Sequence, residues 1–79
     1  MKLLVRHLPR TTTEDDIRAL FSNHGKVDEC NLVLDQATNQ SKGFAFVEMP
    51  NEKDANNAIN SLHMHSIEKN KIRVKLAQD

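Results

Sequence analysis

Phe44 and Phe46 are two of only three aromatic residues in this chain of 79, and they stand one residue apart in the run Lys42-Gly43-Phe44-Ala45-Phe46-Val47-Glu48-Met49. Side chains alternate between the two faces of a strand, so Phe44, Phe46 and Glu48 share one side and Ala45, Val47 and Met49 the other. The small and aliphatic set suits packing beneath helices, which leaves the two rings together on the open side. The inverted arrangement would expose Val47 and bury the Glu48 carboxylate, a costly exchange. A bare aromatic pair lowers solubility without helping the fold, and so marks a binding surface. Flat π-faces in a row are what unstacked bases need, each base–aromatic stack being worth about 1–3 kcal/mol.

The elements that must position this pair are legible around it. Lys2 to Leu8 is short and β-leaning, and Pro9 ends it, which gives a first strand. Thr13 before Glu14, Asp15 and Asp16 is a helix start, with Asp16 at the capping-box position. Ile17, Leu20 and Phe21 form one apolar stripe, and Gly25 is placed as the helix stop. Val27 to Leu34 returns to strand, with Cys30 and Leu32 on one face and Asn31 and Val33 on the other, in reach of a base. Asp35 to Lys42 is a polar loop, Gly43 to Met49 the third strand, and Pro50 its end. Asn51 is placed to cap a second helix whose apolar stripe is Ala55, Ala58, Ile59 and Leu62. His63 to Asn70 reads as irregular. Lys71 to Ala77 alternates, with Ile72, Val74 and Leu76 on one face and Lys71, Arg73 and Lys75 on the other, a strand buried on one side. The order βαββαβ predicts an α+β, ferredoxin-like sandwich: a four-stranded antiparallel sheet with two helices on one face and the other face open.

Eleven lysines and arginines balance eleven acids, which taken alone argues against a nucleic-acid binder. Their placement argues otherwise. Lys2, Arg6, Lys42, Lys71, Arg73 and Lys75 fall on the first, third and fourth strands and their edges, against the single acid Glu48. Glu14, Asp15, Asp16, Glu52 and Asp54 crowd the helix starts, where the helix dipole favours them. The open face is therefore locally basic on a neutral chain, a pattern that attracts phosphates with salt-dependent, modest affinity. Arg6, Arg73 and Lys75 converge beside the rings, where they would hold phosphates or base edges. Glu48 would accept from a base amine.

Taken together, these residues resemble the RNA recognition motif family. Its octapeptide signature runs basic residue, glycine, aromatic, glycine or alanine, aromatic, aliphatic, any residue, aromatic. Residues 42–49 match it everywhere but the last place, where Met49 lies on the core face. The loop Asp35-x-x-Thr38-Asn39-x-Ser41-Lys42-Gly43 is similar to the family's loop, with Asn39 in a place usually glycine. Asn tolerates the left-handed backbone needed there. Both helical stripes fit as well, and the resemblance spans nearly the whole chain, similar to the short single-domain members of bacteria. It implies single-stranded RNA as partner and Lys42 as a phosphate contact. Departures lie on the first strand, Leu3-Leu4-Val5-Arg6-His7-Leu8. There Leu4 replaces the third stacking aromatic and His7 an asparagine. Met64 and Lys69 occupy places that are often glycine.

Residues 1–79 are expected to form one domain with a small core, too small for a closed catalytic pocket. No nucleophile, base and orienting partner share a motif and no phosphate-cradling glycine loop occurs, so neither an enzyme, a cofactor nor a small-molecule substrate is expected. His63 and His65 lack further clustered ligands for zinc. The lone Cys30 allows no internal disulfide and reads as a small buried hydrophobe. His24 sits where the family commonly has an apolar ring, at the core's edge, and the sequon at Asn39 is taken as chance. Neither a signal-peptide pattern nor a membrane span is found. A cytoplasmic monomer is the expectation, or a nuclear one if the source is eukaryotic. The alternative partner is a peptide, which some family members bind after losing sheet aromatics, and single-stranded DNA is a chemical near-neighbour of RNA.

Overall fold

A computed structural model describes residues 1–77. Its elements are β1 (Lys2–Arg6), α1 (Glu14–Ser22), β2 (Glu29–Leu34), β3 (Ser41–Glu48), α2 (Glu52–Leu62), β4 (Ser66–Ile67), β5 (Asn70–Lys71) and β6 (Arg73–Leu76). The start of α1 is the capping box read from the sequence. The Thr13 hydroxyl accepts from Asp16 N at 3.1 Å, and Asp16 Oδ2 accepts from Thr13 N at 3.0 Å, so aspartate serves where glutamate is usual. Asn51 caps α2 through Oδ1, which accepts from Asp54 N at 3.0 Å. The first helix ends at Ser22, with Asn23 as its cap, earlier than Gly25. Gly25 has a different duty: its φ is 152° and the Asp54 side chain fills the space where a Cβ would stand.

The four long strands form one antiparallel sheet in the order β2-β3-β1-β6. Leu3, Val5, Ala45 and Val47 point from its centre to the helices, where they meet Ile17 and Phe21 of α1 and Ala55, Ala58 and Leu62 of α2. Cys30, Ile72 and Val74 complete that layer from the edge strands. Both helices thus cover one face, and the α+β, ferredoxin-like arrangement expected from the sequence is the one observed. Cys30 is buried, and burial, seconded by the charge of nearby Glu14, pushes its thiol pKa up.

The differences lie at strand ends. The first strand stops at Arg6, because His7 turns into the left-handed region at φ 64°. The second begins at Glu29 rather than Val27. The stretch after α2 is not irregular throughout: β4 and β5 pair as a small hairpin, Ser66 with Lys71 and Ile67 with Asn70. Lys71 therefore belongs to that hairpin and not to the fourth long strand. Met64 and Glu68, not Lys69, take the left-handed conformation in this region, at φ 67° and 56°. Leu76 was expected inward but is 44% exposed, because it ends the edge strand with a neighbour, β1, on one side only.

A register shift between Leu32 and Leu34 sets Val33 against the three residues Lys42, Gly43 and Phe44 of β3. Gly43 sits in this bulge at φ 84°, its carbonyl accepting from Leu8 N at 2.9 Å. A Cβ there would stand 3.3 Å from the Leu8 carbonyl oxygen. The substitution Gly43→Ala should cost about 1–2 kcal/mol of stability through left-handed strain, as read by denaturant unfolding.

The β2–β3 loop closes on Asp35. Its Oδ1 accepts from Ala37 N at 2.8 Å and Thr38 N at 3.1 Å, while Asn39, at φ 64°, donates its N–H to the Asp35 carbonyl at 2.7 Å. The backbone N–H groups of Thr38 and Ala37 hold the Asp35 carboxyl below its ordinary range. A depressed carboxyl stabilises above its unfolded pKa and stops doing so as pH falls through the folded one. The amide signals of Ala37 and Thr38 should therefore move together in acid, below the usual aspartate midpoint, and should be pH-insensitive in Asp35→Asn.

Candidate nucleic-acid interface

The face of the sheet away from the helices carries the predicted residues in rows fixed by the register. Asn31 pairs with Phe46, Phe46 with Leu4, and Leu4 with Lys75, so these four cross the sheet in one line. Arg6 pairs with Arg73 in the next line, toward the end where Phe44 stands. Asn31, Arg6, Lys42, Arg73 and Lys75 are exposed, whereas Phe44, Phe46, Leu4 and Val33 are half-buried. The sequence thus brings all ten candidates to one face or its rim.

The rings of Phe44 and Phe46 lie 6.2 Å apart at 87°, edge to face. Such a pair is favourable in itself, and it turns the two π-faces in different directions. Lys2 Nζ lies 5.4 Å from the Phe46 centroid, a cation–π contact. Leu4, Arg6, Phe44 and Phe46 together line a shallow hollow of about 310 Å³. Its neighbour, also about 310 Å³, is lined by Arg6, Arg10, Lys42 and Phe44 among others. Glu48 lies at the opposite end of the face, across from Lys2 and Glu29, and its Oε1 accepts from the Met1 nitrogen at 3.2 Å.

Sequence reasoning missed Arg10, His7 and Asn70 at this rim. Arg10 Nη1 donates to the Ser41 carbonyl at 2.9 Å, which ties the loop after β1 to β3. Nothing in the spacing of a lone arginine after Leu8-Pro9 announces that contact. Asn70 Nδ2 donates to the His7 carbonyl at 3.2 Å, across 63 residues of chain. A larger hollow of about 600 Å³ lies beside β2 and the start of α1, lined by Thr11, Glu14, Leu32 and Leu34 among others, without either ring of the aromatic pair. Size alone does not single it out, and the π-faces and cations converge instead on the open sheet face.

The arrangement suits an extended anion bearing flat rings. Stacking needs exposed π-faces, and phosphates need cations that water has not wholly screened. Among the described residues, no three His, Cys, Asp or Glu side chains gather as metal ligands. His63, one half of the His-x-His pattern, uses Nδ1 to accept from Val74 N at 3.2 Å.

Comparison with known proteins agrees with this geometry. The family described as RNA recognition motif matches residues 3–73. Over 63 residues the chain is 46% identical to the Flowering time control protein FCA of Arabidopsis thaliana, a stretch that is 80% of this chain but 8% of that protein's length. The fold superposes on the crystal structure of RNA Binding Protein PG1 with a TM-score of 0.96 and 34% identity, covering 100% of this chain and 95% of the other. For Sex-lethal RNA recognition domains 1 and 2 from Drosophila melanogaster the TM-score is 0.93 at 31% identity, over 99% of this chain and 50% of the other. The structure of a Sxl-lethal protein/RNA complex gives 0.95 at 31%, over 99% of this chain and 47% of the other. With its octapeptide on the central strand β3, its four-stranded sheet and this match across residues 3–73, the chain belongs to the RNA recognition motif family.

Proposed function

We propose that this chain binds single-stranded RNA on the open sheet face, as one non-enzymatic module acting as a monomer. The observation that carries the reading is the pair Phe44 and Phe46, kept half-exposed on a face that also gathers Arg6, Lys42, Arg73 and Lys75. Folding alone gives no reason to leave two rings there. A related structure solved as a protein/RNA complex supports RNA as the class of ligand.

In this reading Phe44 and Phe46 stack bases, and Leu4 adds an aliphatic floor between Phe46 and Lys75. The four cations hold phosphates or base edges, and Asn31 and Val33 meet a base over β2. Two to four nucleotides fit such a platform. Affinity is modest, because a missing third ring forgoes one stack of about 1–3 kcal/mol.

The double substitution Phe44→Ala/Phe46→Ala should weaken binding of a short single-stranded RNA at least about thirtyfold, with the fold retained by NMR or circular dichroism. Unchanged affinity in the folded variant would sink the proposal. Sheet-face signals should shift on titration with RNA. Shifts confined to the helices on adding a peptide, with none from RNA, would favour the protein-interaction reading that Leu4 suggests.

Salt gives an independent measure. The slope of log affinity against log salt should be about −2 to −3, and Lys42→Ala or Arg73→Ala should each reduce it by about 0.7. A slope near zero would remove the phosphate contacts from the proposal.

A further inference from the structure

At the end of the sheet where β1 gives way to the loop before α1, His7 joins Arg6, Arg10, Lys42 and Asn70 in walling the second hollow. Arg6, His7 and Arg73 line an adjoining one. Among the described residues no acidic side chain lines either. The place is therefore a concentration of positive charge directly beside Phe44.

His7 is held there from two sides. Its backbone is left-handed at φ 64°, and its carbonyl accepts from Asn70 Nδ2 at 3.2 Å. Its ring Nδ1 lies 2.9 Å from the Lys71 carbonyl oxygen. A carbonyl can only accept, so Nδ1 carries a proton and donates. That leaves Nε2 as the variable atom, an acceptor in the neutral ring and a charged donor in the imidazolium. Protonation adds a cation to the hollow without breaking the bond that orients the ring. His63 is the opposite case, since its Nδ1 accepts from Val74 N and would lose that role on protonation.

We propose that this hollow holds a phosphate of the bound strand and that His7 is its titrating member, so that RNA binds more tightly in mild acid than at neutral pH. The inference rests on the RNA-binding reading above and adds a control on the same site. Phosphodiesters keep their charge throughout, whereas histidine changes charge between about pH 5 and pH 8. The charged groups on the elements packed round His7 are Arg6 from β1, Arg10 from the loop after it, Lys42 from β3, Lys71 from β5 and Arg73 from β6. Glu68, in the turn between β4 and β5, is held to Thr11 at 3.3 Å. These cations would meet an entering phosphate from several sides. By linkage, a strand that prefers the charged ring must in turn raise the ring's hold on its proton.

The probe is an oligouridylate, whose base has no group titrating in this range, followed by fluorescence anisotropy between about pH 5.5 and pH 7.5. Affinity should be about three- to tenfold higher at the acid end. The salt slope there should be steeper by about 0.7, the increment of one phosphate contact. His7→Asn keeps a residue that tolerates the left-handed backbone and a side-chain donor for the Lys71 carbonyl, and should make affinity flat with pH. His24→Gln and His65→Gln should retain the response. A flat wild type, or a response that survives in His7→Asn, overturns the inference. Independently of any variant, the NMR titration midpoint of the His7 ring should move up when the wild type is saturated with the oligouridylate; an unmoved midpoint also overturns it. Absence of oligouridylate binding at every pH would remove the RNA reading itself, whereas pH-flat binding removes only the role of His7.

Discussion

Every second residue of β3 is sealed against the rest of the protein: Ser41, Gly43, Ala45 and Val47 are buried, and Met49 just beyond the strand is buried too. Because strand side chains alternate, that burial obliges Lys42, Phe44, Phe46 and Glu48 to the other face. A slip of one residue would put the rings into the core and Ala45 and Val47 into water. β3 has neighbours on both sides, so its register is held twice over, by β1 and by β2. The bulge at Gly43 absorbs the mismatch with β2 without changing the alternation, and so keeps Lys42 and Phe44 on the same side of the sheet. Site and core are thus two readings of one periodicity.

The same economy governs charge. Glu14 sits in the first turn of α1, where the dipole favours it, and its Oε2 also accepts from Leu32 N at 3.0 Å on the outer edge of β2. At the opposite edge His63 accepts from Val74 N. Each outer strand thereby has an outward N–H occupied by a side chain, which discourages pairing with a further strand. Acids are held in the helical layer by such contacts, Glu14 by Leu32 N and Asp16 by the capping box with Thr13. Lys2, Arg6, Lys42, Arg73 and Lys75 stand on the sheet, while Arg18 and Lys53 lie on the helices. A chain of zero net charge can in this way present a basic face, and the overall balance says little about what that face attracts.

How much of this was legible depended on how local the cause was. The caps at Thr13 and Asn51, the two helical stripes, the alternation of β3 and the left-handed turn at Asn39 are set by residues within a few positions of one another, and periodicity reads them directly. The candidate face followed from β3 alone, because the rings and the buried set occur in one run. What sequence reasoning misplaced depends on distant partners. His7 leaves β1 early because Asn70 and Lys71 hold it from across the molecule. The β4–β5 hairpin contains Met64 before it and Glu68 in its turn, both left-handed without being glycine, so the usual turn signal is missing. Leu76 has the right parity for burial but lies at the end of an edge strand, and parity says nothing of where cover runs out.

The geometry of the ring pair also bears on selectivity. With Phe44 and Phe46 at 87°, two bases cannot lie flat on both rings and remain parallel to each other unless a ring turns, which forfeits the edge-to-face contact worth about 0.5–1.5 kcal/mol. Stacking on such a surface discriminates little among bases, since each has a π-face. Discrimination must come from groups that read base edges. Lys75, Arg6 and Arg73 can only donate, and Glu48 can only accept, its Oε1 already accepting from the Met1 nitrogen. Asn31 differs. It stands exposed opposite Phe46 and carries both a donor and an acceptor. On the RNA-binding reading, Asn31 offers a base over Phe46 both a donor and an acceptor, while Arg6, Arg10 and Lys42 on the Phe44 side offer donors to phosphates and base edges alike.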